Sequence, residues 1–259
     1  MTDQGTTRTE GGRRLREGTR SVPPLVSIIV VVFRAAQDLS PLLESILARR
    51  GDDSELILID GGSDDGTLDV IRRFEDSIDY WISEPDRGIY DAMNKGIAGA
   101  TGEYVVHLNA GDRLKRIPRE SLLRCRDNGV DVACFAVDTP NCGEFRPRTG
   151  FILRIMNVWH HQGTFYRRQS HPGYDTRYRV FSDFDCNQKM LKTNKSVALF
   201  PQVVAEQSTV GISGSGVAER EWYRIIRTNF GMPYVVLGFF YRDVVCKLAD
   251  AVQRLRGKL

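Results

Sequence analysis

Residues 25–33 read Leu-Val-Ser-Ile-Ile-Val-Val-Val-Phe, a nearly continuous β-branched run without polar alternation. A strand of this kind has no face suited to water. It must lie in a sheet covered on both sides, which is the situation of a parallel α/β sheet. The sequence that follows keeps the matching rhythm. Ser40-Pro41 reads as a cap and first helical residue ahead of Leu42, Leu43, Ile46 and Leu47. Residues 55–60 form a second strand, and Leu68, Val70, Ile71 and Phe74 then recur at helical spacing. A third strand over 78–83, a helix over 89–100 and a fourth strand over 104–108 complete the pattern. Such alternation predicts βαβ units with right-handed crossovers, so all strand C-termini share one edge. Ligands bind along that edge in open α/β sheets. The polar segments 60–65, 84–87 and 109–112, with Arg34, fall there.

The remainder is less regular. We expect a helix over 118–126, a strand over 130–137, an extended segment over 163–167, a helix over 182–192 and a short strand over 197–200. Charge is concentrated at the ends. The first 20 residues hold five Arg against three acids, and residues 219–259 hold eight Lys or Arg against four acids. Residues 1–22 have almost nothing apolar to bury and are expected to form a disordered arm. Residues 23–117 and 118–212 are then expected to form two halves of one domain, and 213–259 a basic amphipathic helical tail. The apolar segment 230–241 is cut short by Arg242 and Asp243, whereas a span needs about 20 residues. It suits either a helix lying on an anionic membrane surface or a tail helix packed on the domain. Five cysteines without CxxC spacing favour reduced thiols in a cytosol over a disulfide framework, and His160 and His161 lack paired cysteines at zinc-ligand spacing. The polar N-terminus is not a secretory signal. Without a basic, aromatic sheet face, nucleic acid is not an expected partner.

Three loops carry chemistry. Asp60-Gly61-Gly62-Ser63-Asp64-Asp65-Gly66-Thr67 follows one strand and opens a helix, where backbone N–H groups favour anions. Taken alone, it reads equally well as a capped Asp-Gly turn. Ser83-Glu84-Pro85-Asp86-Arg87-Gly88 leads into a helix carrying Asp91, Asn94 and Lys95, where the alternative is a solvated face with an i,i+4 pair. Asn94 is a poor mid-helix residue with no packing reason visible in the sequence. His107-Leu108-Asn109-Ala110-Gly111-Asp112 offers hard oxygen ligands at a strand end, suited to Mg²⁺ or Mn²⁺, or simply a turn. On one sheet edge, the three together can bind a nucleoside diphosphate with a divalent ion.

The segments VSIIVVVF, LILIDGGSDDGT and SEPDRGIYDAMNKGIAGATGEYVVHLNAGD resemble a family 2 glycosyltransferase of GT-A fold, similar to bacterial exopolysaccharide and O-antigen (colanic-acid-type) transferases. The resemblance implies a mostly parallel α/β sheet with helices on both faces, with 23–117 as its nucleotide-sugar-binding half and 118–212 as its acceptor-binding half. It implies donor-nucleotide contacts from Val32, Phe33, Arg34, Asp60, Gly61, Asp86, Arg87, Asn94, Asn109 and Ala110. Asp112 matches the metal-binding Asp, while Asn109 and Gly111 replace acids of that motif. Asp183 matches the general base, with Asp185 as the competing choice. His161, in His160-His161-Gln162-Gly163, is placed near sugar and acceptor. The implied reaction is inverting transfer from a nucleoside-diphosphate sugar to a glycan or polyprenyl-linked acceptor, assisted by Mg²⁺ or Mn²⁺, at the cytoplasmic face of a membrane. The competing readings are a non-catalytic sugar-nucleotide binder and a nucleotidyltransferase. Phe33-Arg34-Ala35-Ala36 lacks the glycine-rich loop that the latter needs.

Overall fold

The computed structural model describes residues 8–140, 143–208 and 216–242. In chain order its strands are β1 (Thr9–Gly11), β2 (Val26–Val32), β3 (Ser54–Asp60), β4 (Tyr80–Ser83), β5 (Tyr104–Asn109), β6 (Arg113–Leu114), β7 (Val132–Thr139), β8 (Gly143–Phe145), β9 (Thr164–Arg167) and β10 (Val197–Glu206). The helices are α1 (Arg13–Glu17), α2 (Ala36–Leu47), α3 (Thr67–Arg73), α4 (Ile89–Gly99), α5 (Arg119–Asp127), α6 (Ser182–Lys192), α7 (Gly216–Phe230) and α8 (Met232–Phe239).

All seven residues of β2 are buried, and alternate side chains serve opposite layers. Ile28, Val30 and Val32 join Leu39, Leu42, Leu43 and Ile46 of α2 and Val70 and Ile71 of α3 in one apolar cluster. Ile29 and Val31 join Ala92 and Met93 of α4, with Trp159, Tyr166 and Met190, in the other. Each buried Val or Ile contributes roughly 1.5–3 kcal/mol relative to exposure. The sheet order is β1-β4-β3-β2-β5-β9-β7-β10-β6, with β8 on β7. Strands β4, β3, β2 and β5 run parallel, and antiparallel β9 joins β5 to β7. Register pairs Val32 with Asp60, Asp60 with Ser83, and Val31 with Asn109, so these four strands finish level. The polar loops therefore emerge side by side.

Two boundaries differ from expectation. Helix α2 begins at Ala36 rather than at Pro41, because Leu39 extends the buried stripe one turn back. The first N–H of α2, on Ala36, is satisfied from outside the segment, by Asp65 Oδ2 at 3.2 Å. Pro41 is tolerated on the exposed face at the loss of one backbone bond. Strand β10 continues beyond Phe200 to Glu206, through register shifts between Phe200 and Val203 and between Val203 and Ala205. The irregularity absorbs Pro201, which lacks the N–H a regular ladder needs.

The arm expected to be disordered is built into the domain over its described part. Strand β1 pairs antiparallel with β4, and Arg13 and Arg14 donate backbone N–H bonds to Ile78 and Asp79. The Arg14 guanidinium reaches Glu55 Oε2 at 2.6 Å and the Gly99 carbonyl at 2.7 Å. Glu55 is buried and also accepts from Ser27, Thr101 and Gly102. Backbone pairing and one buried ion pair order this segment, and neither leaves an apolar signature in the sequence. Residues 1–7 lie outside the described residues.

In the tail, Ala218, Trp222, Ile225 and Ile226 of α7 bury one helical stripe. Trp222, Ile225 and Ile226 pack with Tyr178 and Phe184. Helix α7 is therefore part of the domain core. Helix α8 buries Gly238 and leaves Met232, Val236, Leu237 and Phe239 exposed, with Phe240 just beyond its end. Residues 243–259 lie outside the described residues. Among the described residues no helix is long and apolar enough to cross a membrane.

Replacing Arg14 with Ala leaves Glu55 buried without its cation. It is expected to lower unfolding free energy by about 1.5–3 kcal/mol in urea titration. Arg16→Ala removes only the exposed pair with Asp76, with an expected effect under about 0.5 kcal/mol. Equal, negligible effects of both would contradict an ordered arm.

Candidate active site

The level strand ends open into a cavity of about 490 Å³. Its walls come from Val32 and Phe33 after β2, Asp86, Gly88 and Tyr90 at the start of α4, and Asn109, Ala110 and Asp112 after β5. His161, Gln162 and Arg179 close the far side. Phe33 is held 58% exposed at this edge, because the loop behind it is stitched to the glycine-rich loop. Arg34 N donates to Ser63 Oγ, and Ala35 N donates to Thr67 Oγ1. The Arg34 guanidinium pairs with Asp64 at 2.8 Å.

The strand-end carboxylates take different roles. Asp60 is fully buried and does not line the cavity. Its oxygens accept from Ser63 N at 3.0 Å, from Ser63 Oγ, and from Ser83 Oγ at 2.6 Å. Asp60 thus fixes the loop rather than presenting an oxygen to a nucleoside. Asp86 does line the cavity, with Oδ1 accepting from Gly88 N at 2.8 Å. Its Oδ2 lies over Gly61, where an added Cβ would come within 2.5 Å of it. Gly61 is therefore the space that Asp86 uses. Burial is the largest influence on Asp86 and pushes its carboxyl above the usual range.

Two sequence-predicted donor residues turn elsewhere. Arg87 is exposed and folds back onto Asp91 at 2.9 Å. Asn94 clamps the backbone of Tyr174, donating to its carbonyl and accepting from its N–H, both at 2.8 Å. That clamp is the packing reason for a mid-helix Asn, and it joins residues 80 positions apart.

Asp112 lines the cavity but is buried, and its oxygens are engaged. Oδ2 accepts from Asn109 N at 2.8 Å and from Gln162 Nε2 at 3.2 Å, while Oδ1 accepts from Ser208 N at 2.9 Å. Burial, the dominant influence, pushes this carboxyl up, against the pull of those N–H groups and of His161. Three donors on two oxygens leave Asp112 about one of its four lone-pair sites. Among the described residues no three His, Cys, Asp or Glu side chains converge to hold a metal. Mg²⁺ or Mn²⁺ at Asp112 would take at most that one site from it, with its other ligands supplied from outside these side chains. Two buried carbonyl oxygens of cavity-wall side chains, Asn109 Oδ1 and Gln162 Oε1, lack partners.

Asp183 stands at the start of α6, immediately behind the wall. Oδ1 accepts from Tyr90 Oη at 3.0 Å and from Phe184 N at 2.9 Å, and Oδ2 accepts from Asn157 Nδ2 at 2.9 Å. His161 Nδ1 lies 3.8 Å from Oδ2, and His161 Nε2 is 3.0 Å from Asn109 Nδ2. The Asn109–His161–Asp183 chain thus links the β5 loop to α6. Burial pushes the Asp183 carboxyl up, but His161, Asn157 and Tyr90 together outweigh it and hold the group below the usual range. Asp185 faces away, bonded to Asn229 of α7 and paired with Lys189 at 2.6 Å. Sequence reasoning missed Tyr90, Asn157 and Arg179. Tyr90 lies inside a quoted motif and Arg179 four residues before Asp183, whereas Asn157 carries no local signal.

Residues 27–188 match Glycosyl transferase family 2. The chain belongs to that family. The transferase is 30% identical over 243 residues to a Mycobacterium tuberculosis PGL/p-HBAD biosynthesis glycosyltransferase, covering 83% of this chain and 89% of that one. It is 29% identical over 112 residues to the Borreliella burgdorferi cholesterol galactosyltransferase, covering 42% and 31%. Staphylococcus aureus TarS 1–349 in complex with UDP-GlcNAc superposes with a TM-score of 0.63 at 14% identity, covering 83% of the transferase and 66% of that chain. The transferase spans 43% of the longer TarS chain. The mannosyltransferase PcManGT from Pyrobaculum calidifontis, in complex with GDP-Man and Mn²⁺, gives 0.56 at 21% identity, covering 81% and 62%. These likenesses establish the GT-A fold.

Because Asp112 gathers N–H donors from three segments, Asp112→Asn is expected to destabilise the transferase itself. An amide NH₂ facing Ser208 N or Asn109 N leaves a buried donor unmatched, costing about 1–3 kcal/mol in urea unfolding without ligand. An unchanged midpoint would return Asp112 to a purely ligand-binding role.

Proposed function

We propose that this transferase moves a sugar from a nucleoside-diphosphate sugar to a hydroxyl of a glycan or lipid-linked acceptor, with inversion at the anomeric carbon. The observation that carries the reading is Asp183, accepting from Tyr90 Oη and facing His161, both on the cavity wall. The acceptor oxygen attacks the anomeric carbon. The bond to the leaving phosphate oxygen breaks with its electron pair, and the acceptor proton passes to the Asp183–His161 pair. Attack on one face of the anomeric carbon with departure of the phosphate from the other is a single displacement. UDP-GlcNAc and GDP-Man in the two superposed structures support a nucleotide-sugar donor. They leave the base open.

Asp183→Asn is expected to lower the transfer rate by about 10²–10⁴-fold while donor binding persists. The base must be deprotonated to act. The donors on Asp183 keep it so to low pH, and removing His161 lets burial raise its pKa. The carboxyl is then protonated over a wider range. The acid limb of the pH profile of kcat/KM in His161→Ala should accordingly move to higher pH. An unmoved limb would separate His161 from the base.

The exposed apolar face of α8 fits a lipid surface, and one relative is named for a cholesterol acceptor. Removing the tail would test this poorly, because α7 is core. Val236→Glu with Phe239→Glu alters exposed positions only and is expected to reduce sedimentation with anionic phosphatidylglycerol vesicles at least several-fold. Retained binding would place the lipid contact elsewhere.

A further inference from the structure

An anionic diphosphate entering this cavity meets Asp86 and Asp112 on the walls and Asp183 behind them. Asp112 already holds three N–H donors and has little room for a metal, which leaves the side-chain cations of the cavity to balance that charge. Most cations along this edge are already matched. Arg34 is paired with Asp64 at 2.8 Å, Arg87 with Asp91 at 2.9 Å, and Lys95 with Glu84 at 2.8 Å. Arg179 differs. It lines the cavity and is exposed, and its guanidinium has no ion pair or hydrogen bond among the described residues. A guanidinium left free at a cavity wall matches the bidentate geometry of a phosphate.

The backbone under Arg179 is fixed from an unexpected place. Glu221, buried on α7, accepts three consecutive backbone N–H bonds, from Arg179 at 2.7 Å, Val180 at 2.8 Å and Phe181 at 3.3 Å. Phe181 is the residue preceding α6, and Asp183 follows two positions later. Trp222, next to Glu221, packs edge-on against Phe181 with centroids 5.0 Å apart and lies tilted on Phe184 at 4.7 Å. One carboxylate on the tail helix therefore sets the position of both the free arginine and the start of the helix that bears Asp183. Glu221 itself does not line the cavity.

We infer that Arg179, held in place by Glu221, is the cation that binds the donor's diphosphate, in the role that a metal at Asp112 would otherwise fill. This rests on the nucleotide-sugar reading of the cavity. Arg179 is a binding residue, and Glu221 is a positioning residue that acts through it.

The test is the binding of inorganic pyrophosphate to the full chain, by thermal shift and calorimetry, in EDTA and in Mn²⁺. The wild type is expected to bind pyrophosphate in EDTA, with affinity changing less than about threefold when Mn²⁺ is added. Arg179→Ala should weaken it by roughly 10- to 100-fold, the range of a hydrogen-bonded charge. Arg179→Lys should recover part of the loss. Arg177→Ala removes an equal charge two residues away, from the pair with Asp175, and should leave binding unchanged. Glu221→Gln should weaken pyrophosphate binding and raise the donor KM more than it lowers kcat. A merely structural lesion would reduce the active fraction and leave KM alone. Wild-type affinity in Arg179→Ala overturns the proposal, as does pyrophosphate binding that appears only with Mn²⁺. If a panel of nucleoside diphosphates still binds in those cases, the transferase reading stands. If the wild type binds neither pyrophosphate nor any nucleotide, the donor site falls as well.

Discussion

A strand with no polar face has to be covered on both sides, and the rest of the molecule follows from meeting that demand in β2. Covering it requires helices on both layers, and helices on both layers require crossovers. Crossovers of one hand bring the ends of β4, β3, β2 and β5 level at the same edge. The polar loops are adjacent because the apolar strands are in register. The site is thus a by-product of the core's geometry. A slip of one residue in β2 would send its even and odd side chains to the wrong layers, and the Phe33 loop would move with them.

At that edge the structure divides four aspartates by their surroundings. Asp60 and Asp112 each hold three donors from neighbouring segments, and those donors tie loops together. Asp86 keeps one oxygen over the space left by Gly61. Asp183 also holds three donors, the Tyr90 and Asn157 side chains and the Phe184 N–H, but it faces His161 as well, and these partners keep its carboxyl below the usual range in spite of burial. Their chemical type is the same and so is the number of donors; what differs is which groups surround each carboxylate.

Much of the fold was legible in the sequence. The period-free run of β2, the stripes of α4 and α6, and the Gly-rich punctuation between them are local signals, and they placed the elements to within a few residues. What escaped was carried by contacts distant in sequence. Asp65 caps α2 from 29 residues away, and nothing near Pro41 records it. Arg14 finds Glu55 across 41 positions, so an arm without apolar residues looked unstructured. The site was legible by residue type rather than by direction. Asp86, Asn109, Ala110, His161 and Asp183 do converge on or just behind the cavity wall. Asp60, Arg87 and Asn94 have suitable chemistry and suitable positions, yet their side chains are claimed by Ser63 and Ser83, by Asp91, and by the Tyr174 backbone. A single sequence cannot show which neighbour claims a side chain first.

One end of the sheet is closed by the chain's own N-terminal segment. A wide sheet normally offers two open ladders of backbone groups to any passing strand. At the β4 end the outermost strand is β1, of three residues. It is too short to template a partner, and it leads directly into the arginine-rich helix α1. The short, basic N-terminal segment is thus also a guard. By occupying the edge of β4 with a stub flanked by charge, it leaves little ladder on which a second molecule, or a nascent chain still folding, could build.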